Sequence, residues 1–210
     1  MQTSLPEVTV YGALRDVMHK NDVGGKITLN LLGPMEDLIG VGAVEGLNGE
    51  ITIVDGKALI STYSDNMYSL DKSTNVDAAL LVVSNVGDLK KHQIDSPIGS
   101  ITELEDWLNK YVVNNGLGDE SFAFRMEVTG KANWHVISPP DPGQDHNSAA
   151  KKFNYKGKFQ AVGFFSRVHQ GVFTHQGRFT HLHFIDEQTH FAGHLDEMVS
   201  EGTVTIYLPK

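Results

Sequence analysis

Hydrophobic positions along this chain change their spacing several times, and each change marks an element. Val10, Leu14, Val17 and Met18 recur at helical intervals before Asn21 and the Gly24-Gly25 pair, which predicts a short helix over residues 10–18. From Ile27 to Ile39 the apolar spacing is mixed around Gly33-Pro34, and only one or two broken helical turns are expected. Glu50 to Val54, then Asp55-Gly56, then Lys57 to Ile60 spell a hairpin, because Asp-Gly accepts the positive φ angles of a tight two-residue turn. The unbroken apolar run Ala78–Val86 has the length of a buried strand. Ser100 and Glu103 form a capping box ahead of Ile101, Leu104, Trp107, Leu108, Tyr111 and Val112, a one-faced helix that Asn114-Asn115-Gly116 ends.

Beyond this helix the period of two dominates. Phe122–Val128 and Trp134–Ile137 read as strands, and the proline-rich stretch from Ser138 to Gly143 opens a surface loop. Five more strand-like runs follow: Gln160–Phe165, Gly171–Thr174, Phe179–Ile185, His194–Met198 and Thr203–Leu208. The pattern predicts an α+β fold, a β-rich single domain over residues 1–210 built of two mixed-sheet halves. A soft boundary near residues 139–150 divides an α+β half (1–138) from a β half (151–210).

Composition narrows the classes of function. The chain is 40% hydrophobic, enough for a substantial core, and has no apolar run long enough to span a bilayer. Its net charge of −9 repels phosphate backbones and anionic lipid, so nucleic acid and membrane are not expected as partners. There is no cysteine, and any metal must therefore be held by nitrogen and oxygen. The segment up to Gly12 lacks the features of a secretion signal, which fits a cytoplasmic protein and equally a chain from which a signal was removed. A homodimer is one assembly the sequence allows.

Six of the ten histidines fall between His169 and His194. On a strand, His181 and His183 project from one face while Leu182 and Phe184 turn to the other. The polar segment Asp186–His190 is turn-like, and a hairpin built on it returns His194 beside the pair, with Gly193 permitting close backbone approach. A lone His-x-His is most often a half-exposed polar face. The third histidine, with Phe179 and Ile185 making the recess partly apolar, favours a metal centre, since unpaired imidazole nitrogens are costly there. His181, His183 and His194 are thus the expected ligands of one divalent ion, zinc in the first place, with a fourth position open on the C-terminal half. His175 and His190 are weaker candidates, and His169, His135 and His146 weaker still.

The segment His181-Leu182-His183-Phe184-Ile185, followed by Gly193-His194-Leu195-Asp196, resembles the zinc-binding segment of the α-acetolactate decarboxylases. Upstream, Gly40 to Glu50 resembles the stretch leading into that family's first hairpin, and Phe124–Gly130 and Phe159–Phe165 match less sharply. The resemblance implies a two-part fold, zinc held by three histidines, and a bacterial lyase of acetoin biosynthesis. It further implies a small hydroxy-keto acid as substrate, which loses carbon dioxide without a redox cofactor, and Glu50 as the acid that handles the proton. Three departures stand beside it. Ala43 occupies the position of a family threonine, Ser138 that of an arginine, and the chain stops at Lys210 where relatives carry a further acid. His135, Lys131 and Arg178 are the nearest substitutes for the lost charge. The alternative reading is a metal-binding member that binds a small ligand without decarboxylating it.

Overall fold

The computed structural model describes residues 5–139, 150–186 and 188–210. Two antiparallel sheets are joined at their faces. The first contains β1 (Val8–Tyr11), β2 (Ile27–Thr28), β3 (Leu38–Val44), β4 (Glu50–Val54), β5 (Lys57–Ser64), β6 (Met67–Asp71) and β7 (Asp77–Asn85). Its order is β1-β7-β3-β4-β5-β6, with β2 also on β7. The second contains β8 (Leu89–Ile94), β9 (Phe122–Val136), β10 (Lys151–Phe165), β11 (Thr180–Asp186), β12 (Phe191–Ser200) and β13 (Val204–Pro209), ordered β10-β11-β12-β9-β13-β8. An additional β9–β10 pairing closes β9, β10, β11 and β12 into a ring. Helices α1 (Leu14–Lys20) and α2 (Ile101–Asn114) flank the sheets.

Where mixed sheets were expected, every pairing between the named strands is antiparallel. The division near residues 139–150 falls inside the second sheet, between β9 and β10; the sheets part instead between Asn85 and Leu89. Residues 140–149 of the expected loop, His146 among them, lie outside the described residues.

Local chemistry accounts for the elements. In the β4–β5 hairpin Asp55 and Gly56 both have positive φ, 48° and 73°, as the turn requires. Ser100 caps α2 by accepting from the Glu103 N–H at 3.1 Å, while the Glu103 carboxylate reaches back to the Gly99 N–H. β7 is buried on both faces, as its apolar run requires. The predicted helix over 10–18 is split. Val10 pairs with Val82 in β1, Gly12 turns the chain at φ 79°, and α1 begins only at Leu14 and ends at Asn21 in the left-handed region. The expected strand Gly171–Thr174 is a turn, because Gly171 has φ 73° and the His169 carbonyl accepts from the N–H groups of Val172, Phe173 and Thr174. The two runs either side of Thr129 form one continuous strand, β9.

Two core layers follow. Ile39, Val41 and Val82 of the first sheet pack with Val162, Phe164 and Ile185 of the second in one cluster. Inside the ring Trp134 stacks on Phe153 at 4.4 Å and on Phe184 at 5.1 Å. Full burial of a phenylalanine such as Phe184 stabilises the fold by about 1.5–3 kcal/mol. Among the described residues no helix is long and apolar enough to cross a membrane.

Candidate metal centre

The ring's outer face, turned toward the first sheet, carries the histidines. Leu182 and Phe184 belong to the inner core, so alternation along β11 puts His181 and His183 on the opposite side. The turn after Asp186 brings β12 back so that His194 stands directly opposite His183, and β12 in turn places His194 opposite His135 of β9. Gly193 makes this crossing feasible, because a Cβ there would lie 2.4 Å from the His135 carbonyl oxygen and 2.8 Å from the Trp134 ring.

One ligand nitrogen from each of His181, His183 and His194 falls within 4.8 Å of the others. Ring centroids are 5.3 Å apart for His181 and His183, 5.0 Å for His181 and His194, and 5.7 Å for His183 and His194. Burial holds His181 down to about 3, with the neighbouring His175 next in effect. Burial likewise puts His183 and His194 well below the ordinary histidine range, and the surrounding imidazoles add to it. All three are therefore neutral at physiological pH, each with one lone pair. The Thr52 hydroxyl is joined to His183 Nδ1 by a 2.7 Å hydrogen bond in a fully buried setting. Among the described residues, His183 Nε2 and His181 Nδ1 are buried without a hydrogen-bond partner. Buried orphan nitrogens converging from neutral rings are costly on their own and fit a divalent metal ion, zinc among them.

Glu50 opens β4 opposite Ala43 and is only 4% exposed. Its Oε1 accepts from the Ile137 N–H at 3.0 Å, and its Oε2 lies 3.7 Å from His183 Nε2. Burial pushes the carboxyl up to about 7, against the opposing pull of His135 and of the Ile137 N–H. His135 donates or accepts across 2.8 Å at Nδ1 to Asp196 Oδ1, with Nε2 3.9 Å from Glu50 Oε1. Burial would lower its pKa, but the Asp196 hydrogen bond and the two carboxylate charges outweigh this and hold it above the ordinary value.

The structure thus gathers five histidines. His135, ranked low from the sequence, packs 4.8 Å from His194; His175 sits 5.4 Å from His194 and 6.3 Å from His181. His190 stands away in the β11–β12 turn with φ 58°, and His169 is held by Ser166 and Ser121. Of the expected substitutes for lost charge, Arg178 lines the cavity but donates to Thr102 Oγ1 at 3.0 Å and lies 3.6 Å from Glu197. Lys131 does not line it. The cavity holds about 500 Å³ and is bounded by Ala43, Glu50, His135, His175, His181 and His194 among others. Alternation along β9 sets the face on which His135 lies, but that this face meets His194 follows only from the pairing of β9 with β12, and His175 depends on how the 166–179 turn packs.

Comparison with known proteins bears on the family and the fold. A curated alpha-acetolactate decarboxylase of Lactococcus lactis subsp. cremoris is 28% identical over 216 residues, covering 97% of this chain and 84% of that protein. A Staphylococcus aureus protein of unknown function similar to alpha-acetolactate decarboxylase has the same fold, with TM-score 0.76 at 17% identity over 96% of this chain and 84% of that one. The Bacillus subtilis alpha-acetolactate decarboxylase matches with TM-score 0.72 at 19% identity over 97% of this chain and 86% of that one. The profile of the alpha-acetolactate decarboxylase family matches residues 17–208, nearly the whole chain, and the protein belongs to that family.

Proposed function

We propose that the chain is a metal-dependent carboxy-lyase that converts acetolactate, or a similar small 2-hydroxy-3-oxo acid, to an acetoin-type product and carbon dioxide. His181, His183 and His194 hold zinc or another divalent ion in this reading, and Glu50 handles the proton. The observation that carries it is the convergence of three neutral imidazoles beside a buried carboxyl, at a cavity of about 500 Å³, a size suited to a small acid. A bound divalent ion would supply Lewis acidity toward the substrate's carbonyl and hydroxyl oxygens. The protein's residues supply the rest. Burial keeps the three rings unprotonated, and the Thr52 bond fixes which nitrogen of His183 remains available. Raised to about 7, Glu50 is divided near neutral pH between its acid and its base form, so it can both hold and release a proton. The Ile137 N–H pins Oε1 and leaves Oε2 turned to the histidines.

Acetoin release from acetolactate by the purified, zinc-loaded protein tests this reading, together with metal analysis of wild type and His194→Ala. The expected result is turnover with one bound ion in wild type and loss of both in the variant. A zinc-loaded protein that leaves acetolactate untouched removes that substrate. The second reading, a metal-binding member that holds a small ligand without decarboxylating it, draws on Ala43 and Ser138 in place of the family's threonine and arginine. A gain of turnover in Ser138→Arg would speak for a latent catalytic site, and no gain for lost chemistry.

A further inference from the structure

We infer that Lys152 holds the carboxylate of the substrate at the mouth of the cavity, an assignment that rests on the decarboxylase reading. The charged residues on the cavity wall are Glu50, Asp196, Arg178 and Lys152. Three of them are engaged within the protein. Glu50 takes the Ile137 N–H, Asp196 takes His135, and Arg178 is turned to Thr102 and Glu197. Among the described residues no acid pairs with Lys152, and it is exposed where the cavity opens.

Register gives the lysine its place. Lys152 is the cross-strand partner of His135, His135 of His194, and His194 of His183, so the four form one row across β10, β9, β12 and β11. Directly opposed residues share a face. Adjacent strands lie about 4.8 Å apart, which sets the Lys152 backbone roughly 10 Å from that of His194, a gap the flexible four-carbon stem and a small acid can bridge together. Lys151, one residue earlier, points the other way and lies over the Tyr63 ring at 5.0 Å.

The chemistry of the substrate gives that charge a use. A 2-hydroxy-3-oxo acid has polar oxygens at one end and a carboxylate beside them, and of the cavity's charged groups Glu50 and Asp196 are acids while His135 and Arg178 are turned to protein partners. A cation at the opening takes the negative group, turns it away from Glu50, and directs the departing carbon dioxide toward solvent. An ammonium is a point charge with three donors and not a planar fork, so it accepts more than one orientation of the acid.

Calorimetric titration of the zinc-loaded protein with the dihydroxy acid of the acetolactate carbon skeleton, and with its methyl ester, tests the assignment. In Lys152→Met the acid is expected to bind at least about tenfold more weakly, the ester unchanged and the zinc content intact, with Lys152→Arg retaining most of the affinity. Unchanged acid binding in Lys152→Met overturns the assignment, as does an equal loss for acid and ester, since shape and not charge would then be lost. A wild type that binds acid and ester alike overturns it too. A wild type that makes no acetoin but prefers the acid to the ester, with that preference lost in Lys152→Met, would instead remove acetolactate as the substrate and leave Lys152 as the carboxylate's partner.

Discussion

Glu50 and His183 face each other at 3.7 Å, and one physical cause drives their pKa values in opposite directions. Loss of water penalises whichever form is charged, so the carboxyl rises to about 7 while the imidazole falls. At this scale two outcomes are expected. Glu50→Gln keeps the size and the Ile137 contact but cannot exchange a proton, so acetoin formation should fall by about two to four orders of magnitude with metal content unchanged; equal turnover in the variant would remove Glu50 from proton handling. The second concerns pH. His175, His181, His183 and His194 have folded pKa values below their unfolded value of 6.5, so their contribution to stability is present above 6.5 and lost as pH falls toward the folded values, about 3 for His181. Glu50 and His135, both raised, act the other way and are outnumbered. Denaturant titrations of chelator-treated protein should therefore show stability dropping below pH 6.5, by up to about 1.4 kcal/mol per pH unit for each group held neutral. A flat profile would mean that the rings are solvated. His181, His183 and His194 were legible in the sequence because alternation and one short hairpin suffice to bring them together. His135 and His175 were not, since their positions depend on pairing between strands far apart in the chain and on the packing of a turn.

Among the elements, the hairpin on Asp55-Gly56, the buried strand β7 and helix α2 were legible because each is dictated by neighbouring residues: a turn dipeptide, an apolar run, a capping box. Strand β10 was half hidden. Its first part alternates exposed Lys152, Lys156 and Lys158 with less exposed Phe153, Tyr155 and Gly157, a pattern that only its pairing with β9 turns into a strand. Gly171–Thr174 misled for the converse reason, β-prone residues held in a turn by a glycine and one shared carbonyl. The element that matters most for the site is the β9–β12 crossing at Gly193. Gly193→Ala would drive a methyl group into the His135 carbonyl and the Trp134 ring, and it is expected to cost about 1–3 kcal/mol of stability and to weaken metal binding by displacing His194. Unaltered melting and metal affinity would show that the strands part without consequence.

Across the whole molecule, the boundary between the two sheets lies away from residues 139–150, because the second sheet draws β8 and β9 from before that stretch and joins them to strands after it. Side chains of both sheets meet in one cluster, and the first sheet supplies Glu50 and Thr52 to histidines that belong to the second. We therefore expect heat to unfold the chain in one transition, and zinc to raise its midpoint by several degrees, as a stabilisation of about 2.7 kcal/mol at a hundredfold excess over Kd implies. Two separated transitions, with only the second responding to zinc, would show that the sheets melt independently. The closed ring of β9, β10, β11 and β12 has a consequence of its own. A hoop offers no end strand to peel away, and its aromatic filling props it from within. Withdrawing an ion from the histidines on its outer face should leave the walls standing, so that one ion can be swapped for another without the chain having to fold again.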